Sequence, residues 1–152
     1  MDPLPFTLRV RGHDVIEGLG AFSISVKVEG MASWADDTGL TLEWAETQYI
    51  DEMSFTRVSS DVVSQPPLAI DIAVDELAGA AVLGGWWRPR VEFKGRYLDT
   101  FTHVPGSQSG RVVLWIQRRD RHLAGQLALA LTQAIRSGPS FPTTDPRLES
   151  GS

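Results

Sequence analysis

The residues best suited to recognition in this 152-residue chain lie in one segment rich in tryptophan and arginine. Trp86, Trp87, Arg88 and Arg90 follow each other closely there. Tryptophan and arginine are enriched among the residues that dominate protein–protein binding energy. Because neighbouring residues of a strand point to opposite faces, we expect one tryptophan in the core and the other exposed, with Arg88 and Arg90 on one face. The sequence therefore predicts a protein interface at these four residues.

The same mixture of aromatic and basic side chains suits single-stranded nucleic acid, which binds by base stacking and phosphate contacts. Lys94 and Arg96 follow the segment, and Arg118, Arg119 and Arg121 lie at the entrance of a predicted helix. The net charge of −5 opposes binding to a polyanion. We therefore predict no specific nucleic-acid binding.

Charge is divided unevenly along the chain. Residues 1–85 hold four Lys/Arg against fourteen Asp/Glu, whereas residues 86–121 hold eight against three. Such a division can orient a partner or favour self-association between unlike faces. Two solvated sheets can also show it by chance, and the sequence leaves both explanations open.

Side chains that could carry out catalysis form no recognisable site in the sequence. The chain has no cysteine, and His13, His103 and His122 lie in different predicted elements, whereas a metal needs several converging ligands. The stretch Gly106-Ser-Gln-Ser-Gly110 lacks the spacing of a nucleophile elbow. Paired carboxylates lie in predicted turns, where solvated acids are expected. We predict a non-enzymatic protein without metal or cofactor.

The elements that position these residues begin with a predicted β-hairpin. Apolar and polar residues alternate from Phe22 to Val28, which is the period of a half-buried strand. Asp36-Asp37-Thr38-Gly39 supplies turn residues, and Leu40 to Trp44 alternate again in the return strand. The pattern predicts a long hairpin.

The remaining chain predicts further strands and one helix. Strands are expected over 53–58 with Phe55 inward, 68–73, 80–87, 90–94 and 111–117, and a loop over 59–67. A short helix from Asp75 to Gly84 is the alternative to the strand over 80–87.

The C-terminal region predicts one amphipathic helix. Leu123, Leu127, Leu131 and Ile135 recur every four residues with alanines beside them, which is the pattern of one apolar face. Asp120 is the expected N-cap, and Gly138-Pro139 the expected stop. Such a helix must cover a sheet.

The two ends of the chain differ from the middle. Residues 1–19 are predicted as an N-terminal extension, in which Phe6, Leu8 and Val10 can add an edge strand, and residues 138–152 as a disordered tail. Neither a secretory signal nor an apolar run long enough for a bilayer is present, so a cytoplasmic location is expected. Arginine outnumbers lysine twelve to two and asparagine is absent, as in proteins from GC-rich genomes.

The rhythm of these elements resembles the bacterial pleckstrin-homology-like (PH-like, GRAM-like) domains. The resemblance covers residues 20–137 and rests on Leu68–Val74 followed by Asp75–Gly79, on Trp86–Phe93, and on the strand-helix pair 111–137. It is a resemblance of pattern, without an invariant motif. It implies a mainly β fold: an antiparallel sandwich or partly open barrel of about seven strands, capped at one end by the C-terminal helix.

Where PH domains bind phosphoinositides, the resemblance places the site in the first hairpin, between basic residues. Here the loop from Glu29 to Gly39 has no basic residue and three acidic ones. An anionic headgroup would meet like charge there, so we do not expect phosphoinositide binding.

These observations favour a non-enzymatic protein-interaction or self-association module whose partner is another protein or a second copy. One alternative is a small-molecule or lipid-binding barrel with an interior lined by Trp34, Trp44, Phe55 and Trp115, although an ordinary aromatic core explains those residues as well. Binding to anionic phospholipid is the other alternative.

Overall fold

The structure, a computed structural model, describes residues 2–10, 13–17, 20–54 and 58–137. Within these residues nine strands form one antiparallel sheet, and one α-helix follows them. The elements are β1 (Leu4–Arg9), β2 (His13–Glu17), β3 (Gly20–Ala35), β4 (Gly39–Met53), β5 (Val58–Ser64), β6 (Leu68–Ile72), β7 (Leu77–Leu83), β8 (Arg90–Gly95), β9 (Arg111–Trp115) and α1 (Arg121–Arg136). The prediction of a mainly β protein with a C-terminal helix is confirmed, with nine described strands in place of about seven.

The predicted hairpin is confirmed and is longer than expected. β3 and β4 pair in continuous register from Ala35 opposite Gly39 to Ala21 opposite Met53. Gly39 has a φ of 92°, a conformation that glycine adopts without steric cost and other residues rarely adopt. The turn residues Asp36–Gly39 therefore fix the register of the hairpin formed by β3 and β4.

The sheet is open, and β1 lies inside it. The strand order is β5-β4-β3-β1-β9-β8-β7. β2 pairs with the half of β3 far from the hairpin turn at Asp36–Thr38, and β6 pairs with the half of β4 near that turn. The ends of this path, β5 and β7, do not pair with each other in the described residues, so the sheet does not close into a barrel. The expected edge strand at Phe6–Val10 is wrong in position, because β1 pairs with β3 on one side and β9 on the other.

β1 therefore lies between two antiparallel meanders, one formed by β3, β4 and β5 and the other by β7, β8 and β9. The seam between them is weak in hydrogen bonding, since the only register pair of β1 and β9 is Thr7 opposite Trp115. The inward-facing side chains of both meanders nevertheless belong to one hydrophobic cluster with α1. Apolar contact, more than backbone pairing, holds the two meanders together.

The three paired strands β1, β3 and β4 pack closely at Gly30. Phe6, Gly30 and Trp44 occupy neighbouring register positions on β1, β3 and β4. A side chain on Gly30 would collide with the carbonyl oxygen of Glu43 and would lie 2.7 Å from the Phe6 ring. The absence of a side chain at residue 30 lets the Phe6 ring pack over the backbone.

The helix α1 covers the inner face of the sheet as its sequence predicted. It buries Ala124, Leu127, Ala128 and Leu131 and packs chiefly on β7, with further contacts to β1, β3 and β8. Burying a leucine side chain of this kind is worth about 1.5–3 kcal/mol. No helix in the described residues is long and apolar enough to cross a membrane.

The predicted ends of α1 are partly correct. Asp120 occupies the N-cap position, but its carboxylate makes no capping hydrogen bond, and the residue also ends a 3₁₀ turn over Arg118–Asp120. Gly125 lies on the exposed side of the helix, where an added Cβ would meet no atom within 4 Å, so its backbone approaches no neighbour. The expected stop at Gly138-Pro139 lies outside the described residues.

Two strand predictions are wrong in extent. The predicted loop over 59–67 is largely β5, which pairs with the far half of β4 through Val58 opposite Met53 and Ser64 opposite Thr47. Of the predicted strand over 53–58, Met53 is the last residue of β4, Ser54 lies outside the strands and Val58 is the first residue of β5, while residues 55–57, with the inward Phe55 of the prediction, lie outside the described residues.

The region around Asp75 also differs from the prediction. A single 3₁₀ turn spans Val74–Glu76, and β7 follows at Leu77–Leu83, so the strand begins and ends earlier than the predicted 80–87. The alternative helix from Asp75 to Gly84 is therefore wrong.

The far half of the hairpin forms an arm of one layer. The arm comprises β2, residues 20–25 of β3, residues 47–53 of β4, and β5. Every described side chain in it is half-buried or exposed. The core thus occupies the half of the hairpin nearest the turn, and the arm projects beyond it.

Replacing a buried helix leucine tests this packing. We expect Leu127→Ala and Leu131→Ala each to lower the free energy of unfolding by about 2–5 kcal/mol, through lost burial and the cavity left behind. Leu129→Ala is the matched control, because Leu129 on the same helix is 59% exposed. Urea unfolding followed by circular dichroism measures the differences, and equal effects at Leu127 and Leu129 would contradict the assigned faces.

Candidate functional site

The two adjacent tryptophans lie in the loop between β7 and β8, and both are exposed. β7 ends at Leu83, and Gly84 turns the chain with a φ of 78°. Trp86 is 44% exposed and Trp87 is 68% exposed. The expectation that one of them enters the core is wrong, because strand alternation stops before the pair.

The exposed rings form a cluster with an arginine from the helix entrance. Their centroids are 4.3 Å apart, with 39° between the ring planes. The guanidinium carbon of Arg118 lies 3.6 Å from the centroid of Trp86 and 5.0 Å from that of Trp87. Trp86, Trp87 and Arg118, here called the Trp86 cluster, therefore connect the β7–β8 loop to the 3₁₀ turn before α1.

A second aromatic-basic cluster lies at the seam between β1 and β9. The guanidinium carbon of Arg9 is 3.7 Å from the centroid of the Trp115 ring, and that of Arg90 is 5.4 Å from it. Trp115 is half-buried, whereas its neighbours Leu114 and Ile116 are buried in the core. Arg9, Arg90 and Trp115, here called the Trp115 cluster, thus occupy the outer face of the sheet.

The structure separates the two predicted arginines. Arg90 is the first residue of β8 and pairs with Trp115, whereas Arg88 lies exposed in the loop. The strand argument that placed both on one face does not apply to Arg88. A backbone hydrogen bond from the Ile116 N–H to the Pro89 carbonyl oxygen, 3.0 Å long, holds the end of the loop against the end of β9. Both clusters therefore lie on chain segments joined at one end of the sheet.

Arg9, Arg88, Arg90 and Arg118 form no ion pair among the described residues. The ion pairs found there join Lys27 to Glu29, Lys94 to Glu92, and Arg119 to Asp120. The Nε of Arg90 is buried and donates to no acceptor in the described part of the chain. The guanidinium groups of Arg9, Arg88 and Arg118 belong to exposed residues and are available to an external acid, whereas that of Arg90 is partly buried.

Two surface grooves flank Trp115 where β1 and β9 diverge. One, of about 490 Å³, is lined by Arg9, Arg111, Gln108 and Glu92 as well as Trp115. The other, of about 400 Å³, lies beside Thr7, Met31 and Gln117. The single register pair between the strands explains both, since the strands separate on either side of it.

The residues proposed to line a barrel interior do not share one space. Trp34 and Trp44 are buried in the core, whereas Trp115 lies on the outer face beside Arg9. The Nε1 of Trp34 donates to Asp36 at 3.2 Å, and the Nε1 of Trp44 is buried without an acceptor among the residues described. Phe55 lies outside the described residues. The aromatic core thus accounts for two of the four.

Acidic and histidine side chains are dispersed over the described part of the molecule. No group of three histidine or carboxylate side chains converges on a metal position in the described ranges. The hairpin turn at Asp36–Thr38 is exposed and acidic.

On the sheet, the hydrogen bond and the negative charge of Glu29 raise the pKa of Lys27 above its usual value.

A search of known protein families, of characterised proteins and of solved structures finds no match to this chain. The likeness to PH-like domains therefore rests on the sequence pattern quoted above, and the function is inferred from the two clusters.

A double-mutant cycle tests whether Arg118 is bound to Trp86. We expect Arg118→Ala and Trp86→Ala to show a coupling of about 0.5–1 kcal/mol in the free energy of unfolding, which is typical of an exposed cation–π contact. The control cycle combines Trp86→Ala with Arg119→Ala, because Arg119 belongs to the same 3₁₀ turn and its ion pair is with Asp120. Urea denaturation measures the free energies of unfolding. A coupling of zero between Arg118→Ala and Trp86→Ala would contradict the contact that defines the Trp86 cluster.

Proposed function

We propose that this chain is a non-enzymatic PH-like module that binds another protein through its basic, aromatic end. The binding surface comprises the Trp86 cluster, the Trp115 cluster and Arg88. The order of elements supports the PH-like assignment, since two antiparallel meanders are followed by one helix that covers their inner face. The surface itself is the main support for the binding role.

The observation that carries the proposal is the pair of neighbouring exposed tryptophans. Large indole rings are rarely left in water without a reason, and tryptophan is enriched at the centre of protein interfaces. Here the rings are 4.3 Å apart and lie against Arg118, so they are held in place before any partner arrives. Preorganised side chains lose less entropy on binding than mobile ones.

Charge indicates the chemistry of the partner. The exposed guanidinium groups of Arg9, Arg88 and Arg118 can each donate hydrogen bonds to a carboxylate, and arginine is suited to bidentate pairing with it. Residues 86–121 carry eight basic and three acidic side chains. We therefore assign the surface to a protein with an acidic segment that also presents an apolar side chain to the indole pair.

Other polyanions fit the chain less well. The first 85 residues carry fourteen acidic side chains against four basic ones and would repel an extended nucleic acid or an anionic membrane. The exposed hairpin turn at Asp36–Thr38 is acidic too. Binding to lipid and binding to nucleic acid are measured as alternative outcomes in the experiment below.

Selection of random dodecapeptides on the immobilised full-length protein tests this function. We expect the selected peptides to share acidic residues around an aliphatic or aromatic side chain. For a selected peptide, Trp86→Ala with Trp87→Ala should remove about 2 kcal/mol or more of binding energy, which is roughly a thirtyfold rise in Kd. Arg88→Glu with Arg90→Glu should weaken binding further at low salt than at high salt.

The matched control is Tyr97→Ala with Leu98→Ala, because this neighbouring pair is also exposed but lies in another loop. Fluorescence polarisation measures each Kd. Peptides whose binding ignores the tryptophan pair would contradict the proposal. The proposal would also be contradicted if no peptide is enriched and the protein instead binds acidic liposomes or an oligonucleotide in a way that depends on Trp86 and Trp87.

A further inference from the structure

The arm ends in a strand with an open edge. β5 is the last strand of the sheet path, and its outer edge pairs with no strand among the described residues. Its backbone N–H and C=O groups on that side can therefore join the strand of another molecule. An edge of this kind promotes association unless the protein protects it.

The β5 edge lacks the usual protection. Proteins commonly protect edges with lysine, proline or a covering element, yet β5 reads Val-Ser-Ser-Asp-Val-Val-Ser and holds a single charge at Asp61. Pro66 and Pro67 come only after the strand has ended. At the other end of the path, by contrast, α1 packs on β7.

The arm also exposes apolar side chains beside this edge. On one face Val58 is 74% exposed and Val62 is 62% exposed. Their register partners on β4 are Met53 and Tyr49, which are exposed as well. Asp51 and Ser60 lie between these two rows, joined by a hydrogen bond of 2.8 Å from the serine hydroxyl.

We propose that β5 pairs antiparallel with β5 of a second copy, about a two-fold axis at Ser60. This register places Val58 opposite Val62 of the other copy and Val62 opposite Val58. Each apolar row then continues across four strands, from Tyr49 through both valines to Met53. Two identical surfaces related by a two-fold axis close into a dimer without further growth.

Charge selects this register over its nearest alternative. An axis at Asp61 would set two carboxylates directly opposite each other, which is destabilising, and would place each valine of the exposed rows opposite a serine. The axis at Ser60 instead sets Asp61 opposite the uncharged Ser59, whose hydroxyl donates to Glu52 of its own chain at 3.3 Å. The second copy thus continues the apolar rows and keeps the two Asp61 carboxylates from lying directly opposite each other, at a surface separate from the tryptophan end.

Single cysteines test the register, because the natural chain has none. Across the proposed axis the two Cα atoms of residue 60 lie about 4.5–5.5 Å apart, within reach of a disulfide. Ser60→Cys protein should therefore form a disulfide-linked dimer under mild oxidation. Val58→Cys and Val62→Cys should not cross-link alone, since each would lie about 13 Å from its own copy, but the two should cross-link when mixed.

Leu129→Cys is the control for random collision, because Leu129 is exposed on α1. Sedimentation equilibrium of the unmodified protein should show a dimer, and Val62→Lys should weaken it about tenfold or more by placing charge in both apolar rows. Leu129→Lys should leave it intact. Thermal melting confirms that the lysine variants are folded.

A monomer at all accessible concentrations would overturn the proposal, as would equal cross-linking of Ser60→Cys and Leu129→Cys. A dimer that Val62→Lys leaves unchanged would also overturn it. Peptide binding at the tryptophan end does not depend on β5, so loss of one result leaves the other intact.

Discussion

The structure depends on the burial of apolar side chains beneath α1. The two meanders share one register pair, Thr7 opposite Trp115, and this pairing is too slight to join them by hydrogen bonds. Leu127 and Leu131 lie in the cluster to which both meanders contribute. The stabilising free energy of apolar burial is proportional to the area removed from water. The packing of α1 therefore joins the two meanders more effectively than the single pairing between β1 and β9 does.

The position of the binding surface follows from the same constraint. Arg118 belongs to the turn directly before α1, so the seating of the helix sets the guanidinium over Trp86. Arg9 belongs to β1, the strand shared by the two meanders, and lies over Trp115. A surface built from the loop, the seam and the helix entrance therefore forms only when α1 is packed on the sheet. The arm, by contrast, lies beyond this core and is free to serve a different contact.

Strong periodic patterns made much of the fold predictable. The hairpin was specified by alternation and by Gly39, and the helix by its leucine repeat, because both signals are local. β5 was missed because the two prolines that follow it, Pro66 and Pro67, indicated a loop, and because its serines and aspartate leave no regular alternation; its position depends on pairing with β4. β1 was predicted at an edge because a single strand pattern does not reveal how many neighbours it has.

The site was predictable in composition more than in arrangement. Trp86, Trp87 and Arg88 do lie together in one loop. The prediction that one tryptophan is buried was wrong, because it assumed that the strand continues through both residues. Arg9 was missed as a site residue, although its place after Leu8 and before Val10 in the alternating pattern could have indicated an outward side chain. The contact of Arg118 with Trp86 joins a turn to a loop that is distant in the sequence, so no local pattern could reveal it.

Amide hydrogen exchange of the full-length protein most directly tests the claim that α1 and β1 seal one core. We expect the amides of β1 and of the buried turns of α1 to exchange slowly and at similar rates, because both open only when the whole core opens. Rapid exchange throughout β1 while α1 stays protected would contradict it, since the first strand would then be a loose appendage and the two meanders would not share a core.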